Sequence, residues 1–142
     1  MNPTARRKVF RSGWILAATW CGLLISTQAD AAPCNAGVCK ADVTVQSCES
    51  GTMSVDPEPI TVPAPNNIEW TIATPGYSFP QDGIVINGSG FAPRPGVNGN
   101  GRKFTVHDDH TDKRPDIKYT VRVVRDADGV TCAPYDPRIR NL

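Results

Sequence analysis

Six consecutive residues carry the densest set of chemically capable side chains in this chain: His107-Asp108-Asp109-His110-Thr111-Asp112. They hold both of its histidines and three carboxylates. Imidazole nitrogens and carboxylate oxygens together are a ligand set for a divalent zinc or copper ion. His107, His110, Asp108 and Asp109 are therefore the candidate metal ligands. Residues three apart on a strand face opposite sides. Shared ligation thus requires a turn at Asp108-Asp109, and these residue types favour one. The competing reading is a solvated, charged loop whose acids are partly balanced by Lys113 and Arg114. That plainer reading is the expected one, with the metal site as its alternative.

Cysteine is the second reactive set. Cys21 falls in an N-terminal targeting segment, and removing it leaves Cys34, Cys39, Cys48 and Cys132. An even number in an oxidising compartment reads as two disulfides. Four cysteines allow three connectivities. The expected one joins Cys34 to Cys39 around a small loop and Cys48 to Cys132 across the domain. The spacings are neither C-x-x-C nor a zinc-ribbon pattern.

Other catalytic constellations do not emerge. The chain has no G-x-S-x-G nucleophile motif. Gly88-x-Gly90 and Gly99-x-Gly101 lack the strand-to-helix setting of a phosphate loop. No spacing singles out a carboxylate pair for glycoside hydrolysis. Trp70, Tyr77, Phe79 and Phe91 would make a binding platform if exposed, but Trp70 at an inward alternating position is expected in the core.

The targeting segment comprises residues 1–31. Arg6, Arg7, Lys8 and Arg11 precede any acid, an uncharged run follows from Trp14 to Ser26, and Ala29-Asp30-Ala31 forms a small-residue cleavage site. The run is shorter than the roughly 20 apolar residues of a membrane span, so it is expected to be a signal peptide, with contact to the membrane only during export. Arg6-Arg7 also fits a twin-arginine signal loosely. Cleavage after Ala31 leaves residues 32–142 as a single domain in the periplasm or outside the cell. It keeps 11 basic against 13 acidic residues, so the net charge moves from +1 to −2. A mildly acidic domain without a basic stripe has no footprint for nucleic acid.

The elements that position these residues read as strands. Prolines and glycines interrupt every would-be helix, and the short runs between them alternate and are rich in β-branched residues. Val43 and Val45 share a face, as do Ile60 and Val62, and Phe104 and Val106. Ile68, Trp70 and Ile72 alternate with Glu69 and Thr71. Ile84-Val85-Ile86 is a continuous apolar run. Tyr119, Val121 and Val123 lead to a hairpin turn at Asp126–Gly129, where Asp-Gly tolerates positive φ. The sixteen residues from Asn87 to Arg102 are poor in apolar side chains and read as a loop. About seven short strands with frequent turns predict an all-β, antiparallel sandwich.

Two resemblances follow from these runs. Tyr119-Thr-Val121-Arg-Val123 with its Asp-Gly hairpin, and the order Cys48…Trp70…Cys132, resemble immunoglobulin-like sandwiches. Val55-Asp-Pro57-Glu-Pro59-Ile60-Thr-Val62 with Ile68-Glu-Trp70-Thr-Ile72 resembles the first half of cupredoxins. A blue-copper centre needs two histidines, a cysteine and usually a methionine. No histidine lies near Cys132 and Met53 lies far upstream, so the likeness brings no copper site. The arrangement is also similar to small exported bacterial sandwich proteins, some ending in a segment like Cys132-Ala-Pro-Tyr-Asp136-Pro137. The expected role is non-catalytic, a binding or structural module with no resident cofactor that recognises a protein or small ligand.

Overall fold

The computed structural model describes residues 34–142, the side chains of 94 and 95 excepted. The expected signal peptide and Cys21 lie outside the described residues. Those residues form strands and turns and no helix. The strands are β1 (Cys34–Asn35), β2 (Val38–Ser47), β3 (Thr52–Asp56), β4 (Ile60–Val62), β5 (Asn66–Ile72), β6 (Tyr77–Ser78) and β7 (Ile84–Ile86). They continue with β8 (Phe91–Asn98), β9 (Lys103–Asp108), β10 (Ile117–Val121), β11 (Val124–Arg125) and β12 (Arg138–Asn141).

One sheet runs β1-β2-β5-β9-β8 with β3 also paired to β2; a second runs β4-β12-β10-β7; β11 and β6 form a ribbon. The inward residues of both sheets build one core. In β2 the alternation is strict, with Cys39, Ala41, Val43 and Val45 buried and Lys40, Asp42, Thr44 and Gln46 exposed. Trp70 is fully buried, so it belongs to the core, as its inward position predicts. Such packing removes whole aliphatic and aromatic side chains from water, at about 1.5–3 kcal/mol each.

The all-β expectation holds, but the pairing is mixed and not uniformly antiparallel. β2 and β5 run parallel, and so do β4 and β12. Parallel neighbours need a long crossover. The chain supplies one after β2 by turning through β3, contributing β4 to the other sheet, and returning beside β2 as β5.

The segment from Asn87 to Arg102 also departs from its reading as a loop. Its middle is strand β8, the sheet's outermost member, paired to β9 with a register shift between Pro93 and Gly96. An edge strand hydrogen-bonds on one side only, so it accommodates prolines that a central strand excludes. The shift absorbs the second proline. Low apolar content reflects an edge position here and not the absence of a strand.

Both disulfides connect as expected. Cys34 and Cys39 are direct cross-strand partners in β1 and β2, with Cα atoms 3.8 Å apart. Cys48 and Cys132, each 3% exposed, tie the end of β2 to the return from the Asp126–Gly129 turn. That turn forms, with the Arg125 amide donating to the Val130 carbonyl. Two disulfides fit an oxidising, extracytoplasmic environment. Among the described residues no helix is long and apolar enough to cross a membrane.

Candidate functional site

The histidine loop begins where β9 ends. Along β9, Phe104, Val106 and Asp108 point to the core, while Lys103 and His107 lie on the opposite face. His107 is half-buried beside Asn67, its β5 register partner, with Nδ1 3.0 Å from Asn67 Oδ1. His110 adopts a left-handed conformation, φ 61°, which turns the chain inward. Its ring is buried, with Nε2 3.1 Å from the Val62 carbonyl oxygen on β4. Lys113 Nζ donates to His110 Nδ1, so the ring proton sits on Nε2 and points at that carbonyl.

The predicted turn at Asp108-Asp109 exists, yet it separates the two imidazoles. His107 lies on the outer face of its sheet, and His110 reaches across to the second sheet. The three loop carboxylates hold their own backbone. Asp108 Oδ1 accepts the His110 amide at 2.8 Å, Asp109 Oδ1 accepts the Thr111 amide at 3.0 Å, and Asp112 Oδ1 accepts the Arg114 amide at 3.1 Å. Each is an aspartate bonding two residues ahead, the local competition with regular structure that these side chains favour. Among the described residues no group of three or more His, Cys, Asp or Glu side chains is placed to share a metal ion.

Electrostatics divide the carboxylates. The guanidinium of Arg114, bonded to Asp112 through Nε and Nη2, holds the Asp112 carboxyl far below its ordinary range. Hydrogen bonds from Thr111 lower Asp109. Burial pushes Asp108 the other way. Its Oδ1 is satisfied, but Oδ2 has no hydrogen-bond partner among the described residues.

A second feature was not singled out by its residues. Among the described residues β7 pairs only with β10 and β8 only with β9, leaving two strand edges without a partner there, and both border one cleft. Between them opens a cleft of about 300 Å³, lined chiefly by Ile84, Ile86, Phe91, Pro93, Phe104 and Val106. Its floor reaches the core, because Phe104 and Val106 are almost wholly buried. Its polar lining is Gln81 and Asp82, and Asp82 is engaged by Arg122 at 2.6 Å. Val85, centred on β7, is 42% exposed. The sequence signal for this cleft is the apolar run Ile84-Val85-Ile86 beside Phe91, which also describes a strand buried on both faces.

Of the proposed aromatic platform, Trp70 and Phe79 are buried, and Tyr77 and Phe91 are half-buried. Only Phe91 contributes to the cleft. Compared with known proteins, the chain matches no family model and no curated protein.

Proposed function

We propose that this chain is an exported, non-catalytic binding module: an immunoglobulin-like or cupredoxin-like β-sandwich of the periplasm or extracellular space that takes an extended polypeptide segment at the β7–β8 cleft. One observation carries the reading. Two strand edges that, among the described residues, pair on one side only flank an apolar cleft. A free edge offers backbone donors and acceptors to an incoming strand, and an adjacent apolar groove takes alternate side chains of that strand. In an antiparallel pair successive residues direct their backbone groups to opposite sides. Val85 faces Thr120 in register, with Gly83–Arg122 and Asn87–Lys118 bonds on either side. Ile84 and Ile86 therefore turn their amides and carbonyls to the free edge.

The chemistry of the cleft fits recognition better than turnover. Its lining is predominantly aliphatic and aromatic, and its one carboxylate is held by Arg122. Export and two disulfides suit a small domain that meets partners outside the cytoplasm.

The test is titration of the oxidised mature domain with alternating Val/Thr hexapeptides, followed by backbone amide chemical shifts. Saturable shifts centred on Ile84–Ile86 and Phe91–Ala92 are expected, and Ile86→Lys removes them by charging the edge. Shifts confined to another surface, or none at millimolar peptide, would overturn the reading.

A further inference from the structure

Most strand edges of this fold carry a device that discourages pairing with another chain. β8 holds Pro93 and a register shift. β4 lies between Pro59 and Pro63, and β1 is only two residues long. β3 exposes Thr52, Ser54 and Asp56. β7, Ile84-Val85-Ile86, has none of these: it bears no charge and no proline, and its outward Val85 is 42% exposed. Among the described residues Val85 is the one large apolar side chain so exposed on a strand, since Val130 follows a turn and Leu142 ends the chain.

The edge is also its own complement. Gly83, Val85 and Asn87 face β10, so Ile84 and Ile86 turn their backbone groups outward. Ile-Val-Ile reads the same from either end. A second copy running antiparallel across a two-fold axis at Val85 therefore sets Ile84 against Ile86 of the second copy, and Ile86 against its Ile84. Each is a hydrogen-bonded pair exchanging both backbone bonds. Val85 meets Val85 of the second copy in the close, non-hydrogen-bonded position between them. The chain fixes this register. The Gly83 amide donates to the Pro80 carbonyl at 2.9 Å, a turn that ends the strand on one side, and the chain bends away through 87–90 on the other. A slip of the pairing would set Asp82 against Ile86 or Gly88 against Ile84, and both Asp82 and Gly88 lie outside the strand.

We infer that β7 is a homodimerisation edge: a second copy of this chain adds its own β7 across the two-fold axis at Val85, joining the two four-stranded sheets into one. The inference rests on the reading of β7 as an open, strand-accepting edge and names its partner. Subunits related by a two-fold axis use the same surface twice, and an uncharged strand presents nothing that repels its copy. The inward Ile84 and Ile86 of the second copy extend the apolar lining of the cleft past its own edge. The seam is short. Three residues span about 10 Å, against about 20–30 residues a side in a standard interface. Association is therefore weak and follows concentration.

Sedimentation of the oxidised domain of residues 32–142, from micromolar to millimolar concentration, should show a monomer–dimer equilibrium. The Ile84 and Ile86 amide shifts should follow the same curve. Val85→Lys and Val85→Glu each place like charges face to face at the axis, and each should leave the domain folded and monomeric. Their equal mixture should dimerise again, since only this register sets position 85 against itself. A natural domain that stays monomeric at millimolar concentration, a dimer that survives in either variant, or a mixture that stays monomeric would overturn the inference. Val/Thr hexapeptide shifts at Ile84–Ile86 in a domain monomeric throughout would remove the homodimer alone. Absence of both would remove the edge reading with it.

Discussion

The Trp70 indole N–H donates to the Tyr119 hydroxyl at 3.1 Å, joining the central strand of one sheet, β5, to an inner strand of the other, β10. Their rings lie 5.4 Å apart at 57°, a tilted aromatic contact. Both side chains are essentially inaccessible, and burial pushes the Tyr119 hydroxyl well above its ordinary range. The bond lets two amphipathic aromatic residues fill the core without an orphaned polar end.

Tyr119→Phe keeps the ring and strands the indole proton. The expected cost is about 1–3 kcal/mol, read as a lower denaturation midpoint with an unchanged denaturant slope. In a domain of residues 32–142 Trp70 is the sole tryptophan, so its fluorescence reports the transition. A neutral effect would show that the indole finds another acceptor.

The two disulfides should contribute unequally. Chain-entropy estimates give about 4.5 kcal/mol for a loop the size of Cys48–Cys132 and about 2 kcal/mol for that of Cys34–Cys39. Denaturant unfolding of the paired Cys→Ala variants should reproduce that order. Mass mapping of the unreduced protein should recover both links, and a Cys39–Cys132 cross-link would contradict the connectivity.

Asp112 contributes an acid limb to the stability of the fold. Arg114 holds its carboxyl far below the unfolded value of 3.8, so its contribution is present above that value and lost as pH falls. Asp112→Asn should lower the melting temperature near neutrality and flatten the decline on acidification. An unchanged acid limb would assign acid sensitivity to other carboxylates.

His107 and His110 point to different faces, with His110 committed on both ring nitrogens. Calorimetric titration with zinc or copper should give the same isotherm for the natural domain and the His107→Ala/His110→Ala variant. Stoichiometric uptake that the variant loses would mean the loop rearranges around a metal.

Much of the fold is legible locally. The alternation of Ile68, Trp70 and Ile72, and of Tyr119 and Val121, identifies core faces because a strand's side chains repeat every two residues. β12 escapes such reading: Arg138-Ile-Arg-Asn141 carries one aliphatic side chain, and its inward polar residue is Asn141. β8 escapes because prolines and glycines at an edge look like a loop. The histidine cluster is legible as a turn, since aspartates bond the backbone two residues ahead, but the direction of each imidazole is not.

By itself the sequence determined the alternating core positions, the turn sites and an even cysteine set once residues 1–31 are set aside, because periodicity, backbone permissiveness and cysteine count act locally. Tertiary structure alone decided that β2 and β5 run parallel, that β7 and β8 leave their edges beside one cleft, and that the Trp70 indole meets the Tyr119 hydroxyl. Those outcomes depend on which distant strands pair and which side chains lose water together. Residues 49 positions apart cannot encode that meeting in their spacing; the two sheets create it by closing over a shared core.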